Sequence, residues 1–211
     1  MQERKNAVEE YVYDMRGKID DRYRAFAQPE EKEKLLAALN EAEEWLYSEE
    51  GEDATKSVYT AKLDSLKAIG DPIVYRYKEV DERTRAIAAL RETLNTYMTQ
   101  ATSGEEKYAH IDEKDKQAVV ERVANIQKWL EDQIVRQSER PKNVDPVLTS
   151  AEISKKRDEI IYFAIPILTR PKPKVTPSST EAPKSEEQKP KEEKKDEAPK
   201  PEGEPSEMDV D

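Results

Sequence analysis

Glu43-Glu44-Trp45-Leu46-Tyr47-Ser48-Glu49-Glu50-Gly51-Glu52-Asp53 reads as a helix that ends on two large apolar side chains and then enters an acidic loop. The chain comes back to that pattern at Lys128-Trp129-Leu130-Glu131, where an apolar-periodic helix again carries Trp-Leu near its C-terminal end. A polar, proline-interrupted loop and another helix follow. These two places hold the chain's two tryptophans, so they predict two related helical hairpins, each closed by an indole wedge. Trp45, Leu46, Trp129 and Leu130 are therefore structural residues: an indole gives a large apolar area while its N–H still reaches a loop partner. Replacing a fully buried Trp45 by alanine should cost roughly 3 to 5 kcal/mol.

Outward from these pairs, apolar residues keep helical spacing from residue 1 to about 170. Val8, Tyr11/Val12, Met15, Ile19 and Phe26 line a first helix. Pro29 opens a second, with Leu35/Leu36, Leu39, Ala42 and Leu46 inward. A third helix starts near Thr55 and carries Tyr59, Leu63 and Leu66. Gly70-Asp71-Pro72 then combines a C-terminal glycine, an N-cap and a first-turn proline, which predicts a stop and a new start.

The fourth helix, from Pro72 to about Ser103, is expected to run roughly 48 Å and to be shared by both Trp-Leu units. Its inward side carries Ile73, Tyr77, Val80, Ile87, Leu90, Leu94, Tyr97 and Ala101. Asp112 caps a fifth helix bearing Val119, Val123, Ile126, Leu130 and Ile134, which fails at Arg140-Pro141. Thr149-Ser150-Ala151-Glu152 has the capping-box pattern and opens a sixth, with Ile153, Ile160/Ile161 and Ala164 before Pro166. The fold class is all-α: an antiparallel bundle of about six helices over 1–170 with one sizeable core.

Residues 171–211 hold eight prolines, no aromatic residue and runs of Lys and Glu. So few apolar side chains cannot offset about 1 to 2 kcal/mol of backbone entropy per residue, and a disordered tail is expected. Its end, Met208-Asp209-Val210-Asp211, reads either as an acidic peptide ligand or as a solubilising tail. Ser206, followed by Glu207 and Asp209, suits an acid-directed kinase.

The composition excludes several chemistries. Without cysteine there is no disulfide, thiolate nucleophile or cysteine-held metal. The single histidine, His110, reads as a loop residue and cannot build a multi-histidine site. A net charge of −11 argues against nucleic acid. No apolar run is long enough to span a membrane. Carboxylate pairs such as Glu49-Glu50 sit in a solvated loop, and the five scattered glycines form no phosphate cradle, so neither an enzyme nor a cofactor is expected. On this acidic chain the basic cluster Arg76, Lys78, Arg83, Arg85 and Arg91 is the best candidate for a partner surface. Its alternative is a solvated set of i,i+4 partners for Glu79, Asp81 and Glu82.

Lys5-Asn6-Ala7-Val8-Glu9-Glu10-Tyr11-Val12-Tyr13-Asp14-Met15-Arg16 resembles the start of the helical lid segment of the heat-shock protein 70 chaperones and their larger relatives, the heat-shock protein 110 family. Glu44-Trp45-Leu46-Tyr47 with Glu50-Gly51-Glu52-Asp53, Tyr59-Thr60-Ala61-Lys62-Leu63 leading to Ile69-Gly70-Asp71-Pro72-Ile73, and Glu106-Lys107-Tyr108-Ala109-His110-Ile111-Asp112-Glu113 favour the larger branch. Asp145-Pro146-Val147 and Thr169-Arg170-Pro171-Lys172-Pro173-Lys174 continue in the same order. The resemblance covers almost all of residues 3–174 and, more loosely, the acidic terminus. It implies a non-catalytic C-terminal helical module of a co-chaperone. Such proteins carry an ATP-binding domain and a β-sandwich ahead of the helical region, promote nucleotide exchange on a heat-shock protein 70 chaperone, and hold unfolded clients. This chain is expected to lack both preceding domains and to work in the cytoplasm, with the nucleus also open to it. A stand-alone helical adaptor with an acidic peptide tail is the alternative.

Overall fold

The computed structural model describes residues 2–174, and the readings made for the tail beyond them, Ser206 and residues 208–211 included, lie outside the described residues. Helix α1 (Gln2–Ile19) buries Val8, Val12, Met15 and Ile19, the four- and three-residue steps of a helical stripe. It ends earlier than the apolar pattern predicts. Asp20 and Asp21 follow at the end where the helix dipole is already negative. Phe26 is reached instead through a 3-10 turn, Arg24–Phe26, and is buried edge-on against Tyr77 at 5.5 Å.

Helix α2 (Pro29–Leu46) has proline at its first turn, as expected. The Gln28 side chain and Glu31 also form a reciprocal cap there. Its stripe of Leu35, Leu39, Ala42 and Leu46 is buried throughout. The acidic loop is not irregular: it contains a helical turn, α3 (Glu49–Glu52). Ser48 Oγ accepts from the Gly51 N–H at 3.2 Å and donates to the Trp45 carbonyl at 2.6 Å. Tyr59 Oη closes the turn, donating to the Gly51 carbonyl at 2.5 Å while accepting from the Ala54 N–H at 3.2 Å.

The largest correction concerns Gly70-Asp71-Pro72. No break occurs there: α4 (Lys56–Ala101) is one helix of 46 residues with Pro72 inside it. At 1.5 Å per residue it is about 69 Å long. Gly70 serves packing rather than termination, since a Cβ built on it would lie 2.2 Å from Tyr11 Oη and 3.2 Å from Met15 Cε. α1 therefore crosses α4 at the glycine. Pro72 has no N–H to give the Ala68 carbonyl, but Ala68 is exposed and water can take that place. The buried series Leu66, Gly70 and Ile73 runs straight through the proline, so tertiary burial overrides the local stop signal.

Helix α5 (Glu113–Ser138) is capped by Asp112, whose carboxylate accepts from the Lys114 N–H at 3.0 Å. Helix α6 (Ser150–Leu168) is capped by Thr149 through the Glu152 N–H at 3.1 Å. Pro166 does not end α6; the helix continues to bury Leu168. A 3-10 turn, Glu106–Tyr108, lies between α4 and α5. All described elements are helical.

The expected single core is two. One joins α1, α2 and the first part of α4 around Ile19, Leu35, Leu39 and Ile73. The other joins the second part of α4 to α5 and α6 around Leu90, Leu94, Leu130 and Ile160. Each is a three-helix bundle, and α4 is the helix they share.

The glycines of the two tight contacts should respond differently to alanine. At Gly51 the new Cβ would meet the Trp45 carbonyl oxygen at 1.8 Å, which is backbone and cannot turn aside. Gly51→Ala should cost about 2 kcal/mol or more. Gly70→Ala meets only the ends of the Tyr11 and Met15 side chains and gains about 1 kcal/mol of helix propensity, so its net effect should stay below about 1 kcal/mol. Urea denaturation of both variants checks the order, and equal losses would contradict it.

Candidate partner-binding surface

The Trp-Leu pairs divide their work. Leu46 and Leu130 are almost fully buried, whereas Trp45 and Trp129 are half-buried at the edges of the two cores. The indoles are thus not the central wedges expected. Trp45 lies edge-on to Tyr59 at 5.6 Å, with Lys62 Nζ 5.1 Å from the ring centre. Trp129 has Lys156 Nζ at 5.3 Å. In each hairpin the lysine comes from the long helix that follows the tryptophan helix, so the two units repeat a cation–π contact as well as a sequence pattern.

The basic cluster on α4 does not lie on one exposed face: Arg76 is buried, Arg83 is half-buried, and Lys78, Arg85 and Arg91 are exposed. Arg76 is 8% exposed and points inward. Its Nη1 donates to the Phe26 carbonyl at 3.0 Å and to Glu31 Oε1 at 2.8 Å, and its Nε to Asp145 Oδ1 at 3.1 Å. One guanidinium therefore ties the first core to the loop that leads into α6. Arg83 also turns to that loop, donating to the Leu148 carbonyl at 3.1 Å. Arg91 pairs with Glu131 of α5 at 2.7 Å across an exposed surface. Lys78 and Arg85 are exposed and are in no ion pair among the described residues. The i,i+4 pairs with Glu79, Asp81 and Glu82 do not form either.

Glu79 holds the inward place that the apolar pattern assigns to Val80. It is 2% exposed, and its carboxylate accepts from the Ser150 N–H at 2.9 Å and the Ser150 hydroxyl at 2.6 Å. It sits at the first turn of α6, where helix N–H groups favour an anion. Val80 is turned outward and is 37% exposed. The signal is present in the spacing: Leu66, Gly70, Ile73, Arg76 and Glu79 continue one inward stripe at helical steps.

His110 lies in the turn before α5, where its Nε2 meets the Arg170 carbonyl. Arg170 in turn reaches Asp115 at 3.0 Å. Among the described residues, no helix is long and apolar enough to cross a membrane, and no acidic or histidine cluster is arranged to hold a metal ion.

Burial alone works to raise the Glu31 pKa, but hydrogen bonds from Arg76 and the Gln28 N–H, with the Arg76 charge, outweigh it and hold the carboxyl below the ordinary range. A depressed folded-state pKa gives stability that is present above the unfolded value and lost as the pH falls through the folded one. Glu31→Gln should therefore be less stable than wild type at neutral pH and converge with it on acidification below the ordinary glutamate range. Arg76→Met, which leaves the Phe26 carbonyl and Glu31 without their donor, should cost roughly 3 kcal/mol at neutral pH. Urea titrations across a pH series test both, and a constant gap between wild type and Glu31→Gln would contradict the first.

Comparison with known proteins matches residues 92–161 to the family described as HYOU1-like, C-terminal domain. Heat shock 70 kDa protein 15 of Arabidopsis thaliana is 43% identical over 183 residues, covering 87% of this chain and 22% of that protein. The 97 kDa heat shock protein of Mesocentrotus franciscanus is 43% identical over 174 residues, 81% of this chain and 19% of that protein. Heat shock protein 110 of Caenorhabditis elegans is 35% identical over 211 residues, 98% of this chain and 26% of that protein. The chain spans about a fifth to a quarter of the length of these curated relatives. No solved structure matches. With similarity running through both three-helix bundles, the chain belongs to the heat-shock protein 110 family and corresponds to its C-terminal helical domain.

Proposed function

We propose that the helical unit is a non-catalytic co-chaperone module that contacts a heat-shock protein 70 chaperone, supports nucleotide exchange on it, and helps to hold unfolded clients. The working module is residues 1–170, with 171–211 as a separate tail, and the compartment is the cytoplasm with access to the nucleus. The observation that carries this reading is the match to heat shock protein 110 across nearly the whole chain. The architecture supports it mechanically. A 46-residue helix shared by two cores is a stiff brace, and a brace limits the motions of whatever it is docked against.

Surface chemistry supplies a contact region. Tyr13 and Tyr47 are 82% and 76% exposed and flank a groove between α1 and α2 that holds the Arg16–Glu43 ion pair. Tyrosine combines apolar area with a hydrogen-bonding end and is enriched where interfaces concentrate binding energy. An exposed aromatic pair beside a charged groove is chemistry for a protein partner.

The purified chain immobilised on a support should retain purified heat-shock protein 70 chaperone, and Tyr13→Ala/Tyr47→Ala should retain about ten-fold less if these side chains act as interface anchors. Nucleotide release from that chaperone, followed by stopped flow, should be accelerated much less by this chain than by a full-length member of the heat-shock protein 110 family. Absence of retention, with suppression of client aggregation also absent, would favour the stand-alone adaptor.

A further inference from the structure

We propose that the cleft between the middle of α4 and the 139–149 loop is a binding site for an acidic peptide segment, taking one carboxylate and a neighbouring apolar side chain. The cleft has a volume of about 270 Å³. Pockets for small molecules typically run from about 300 to 1,000 Å³, so this one is sized for one or two side chains. Its walls differ in chemistry. Arg76, Arg83, Arg140 and Lys142 bring four cations to it, and Phe26, Val80 and Val144 provide an apolar side.

Among the described residues, no carboxylate lines the cleft. Asp145 and Glu31 are turned to Arg76 at 3.1 and 2.8 Å, and Glu79 is turned to Ser150. Four cations against the two carboxylates paired with Arg76 leave a positive excess on a chain whose net charge is −11. The guanidinium groups are only partly engaged. Arg76 uses Nε and Nη1, Arg83 uses Nη1, and Arg140 uses Nε and Nη2 on the Asp145 carbonyl. Each keeps a further nitrogen without a protein acceptor among the described residues. Lys142 makes no ion pair there and lies 6.0 Å from the Phe26 ring centre. Planar guanidinium donors beside an apolar wall match a carboxylate carried next to an apolar side chain.

The site is held in shape before any ligand arrives. Gln28 Nε2 donates to the Asn143 carbonyl at 3.3 Å, and Gln137 Oε1 accepts from the Val147 and Leu148 N–H groups at 2.9 and 3.2 Å. With the loop already tied at several points, little ordering entropy is lost on binding. The cleft does not depend on contact with a heat-shock protein 70 chaperone.

The test is an NMR titration of the uniformly 15N-labelled full chain with the acetylated, amidated peptide Asp-Leu-Glu-Asp-Leu, beside its Asn/Gln analogue and inorganic phosphate. Saturable shifts are expected at amides of residues 137–148, with half-saturation about ten-fold higher for the uncharged analogue. Lys142→Gln, an exposed change that spares the fold, should raise half-saturation about three-fold. Equal binding of the uncharged analogue overturns the charge recognition, and phosphate binding as well as the peptide overturns the peptide assignment. Shifts elsewhere, none at millimolar peptide, or no effect of Lys142→Gln overturn the site.

Discussion

Two cores share one uninterrupted helix, and everything between them depends on how the middle of α4 is fixed. A helix of 46 residues is stiff along its axis, but its rotation and the placement of the loop beside it are set by side chains. Arg76 and Glu79, one turn apart, perform that task with opposite charges. The first gathers the Phe26 carbonyl, Glu31 and Asp145, and the second holds the start of α6. Apolar contacts at the same place could fill volume, but they could not distinguish one loop carbonyl or helix start from another. Buried charge is weak evidence for stability, because desolvation opposes the Coulomb gain. Here the partners come from four different segments, so the pair works chiefly by fixing geometry.

Much of this is legible in the sequence because it is local. Pro29, Asp112 and Thr149 mark helix starts through groups that lie within a turn, and the Leu35-Leu39-Ala42-Leu46 stripe needs only helical geometry to be read as core. Gly70-Asp71-Pro72 misleads for the opposite reason. Its glycine answers to Tyr11, some sixty residues earlier, and no local rule carries that information. The acidic loop conceals a helical turn because its closing hydroxyl belongs to Tyr59, on the next helix.

For the basic cluster, position is a better guide than charge. Arg76 stands three residues after Ile73 and three before Glu79, in phase with the buried side of α4, whereas Lys78 and Arg85 fall out of phase and stay at the surface. Charge describes what a side chain can do, but helical phase decides where it is done. The partners at Glu31 and Asp145 are 45 and 69 residues from Arg76, so their identities do not follow from spacing.

The paired tryptophans show the same division at a smaller scale. Each hairpin buries a leucine completely and leaves the adjacent indole at the edge with a lysine over its ring. Neighbours in sequence on a helix face directions about 100° apart, so Trp and Leu at consecutive positions cannot both point to the centre of a three-helix core. The smaller residue fills the centre, and the larger one seals the groove between helices, where its ring face remains open to a cation. Repetition of that arrangement around one shared helix makes the two bundles physically similar units, although their connecting loops differ in length, and Arg76 binds the connection of each, at the Phe26 carbonyl in the first and at Asp145 in the second.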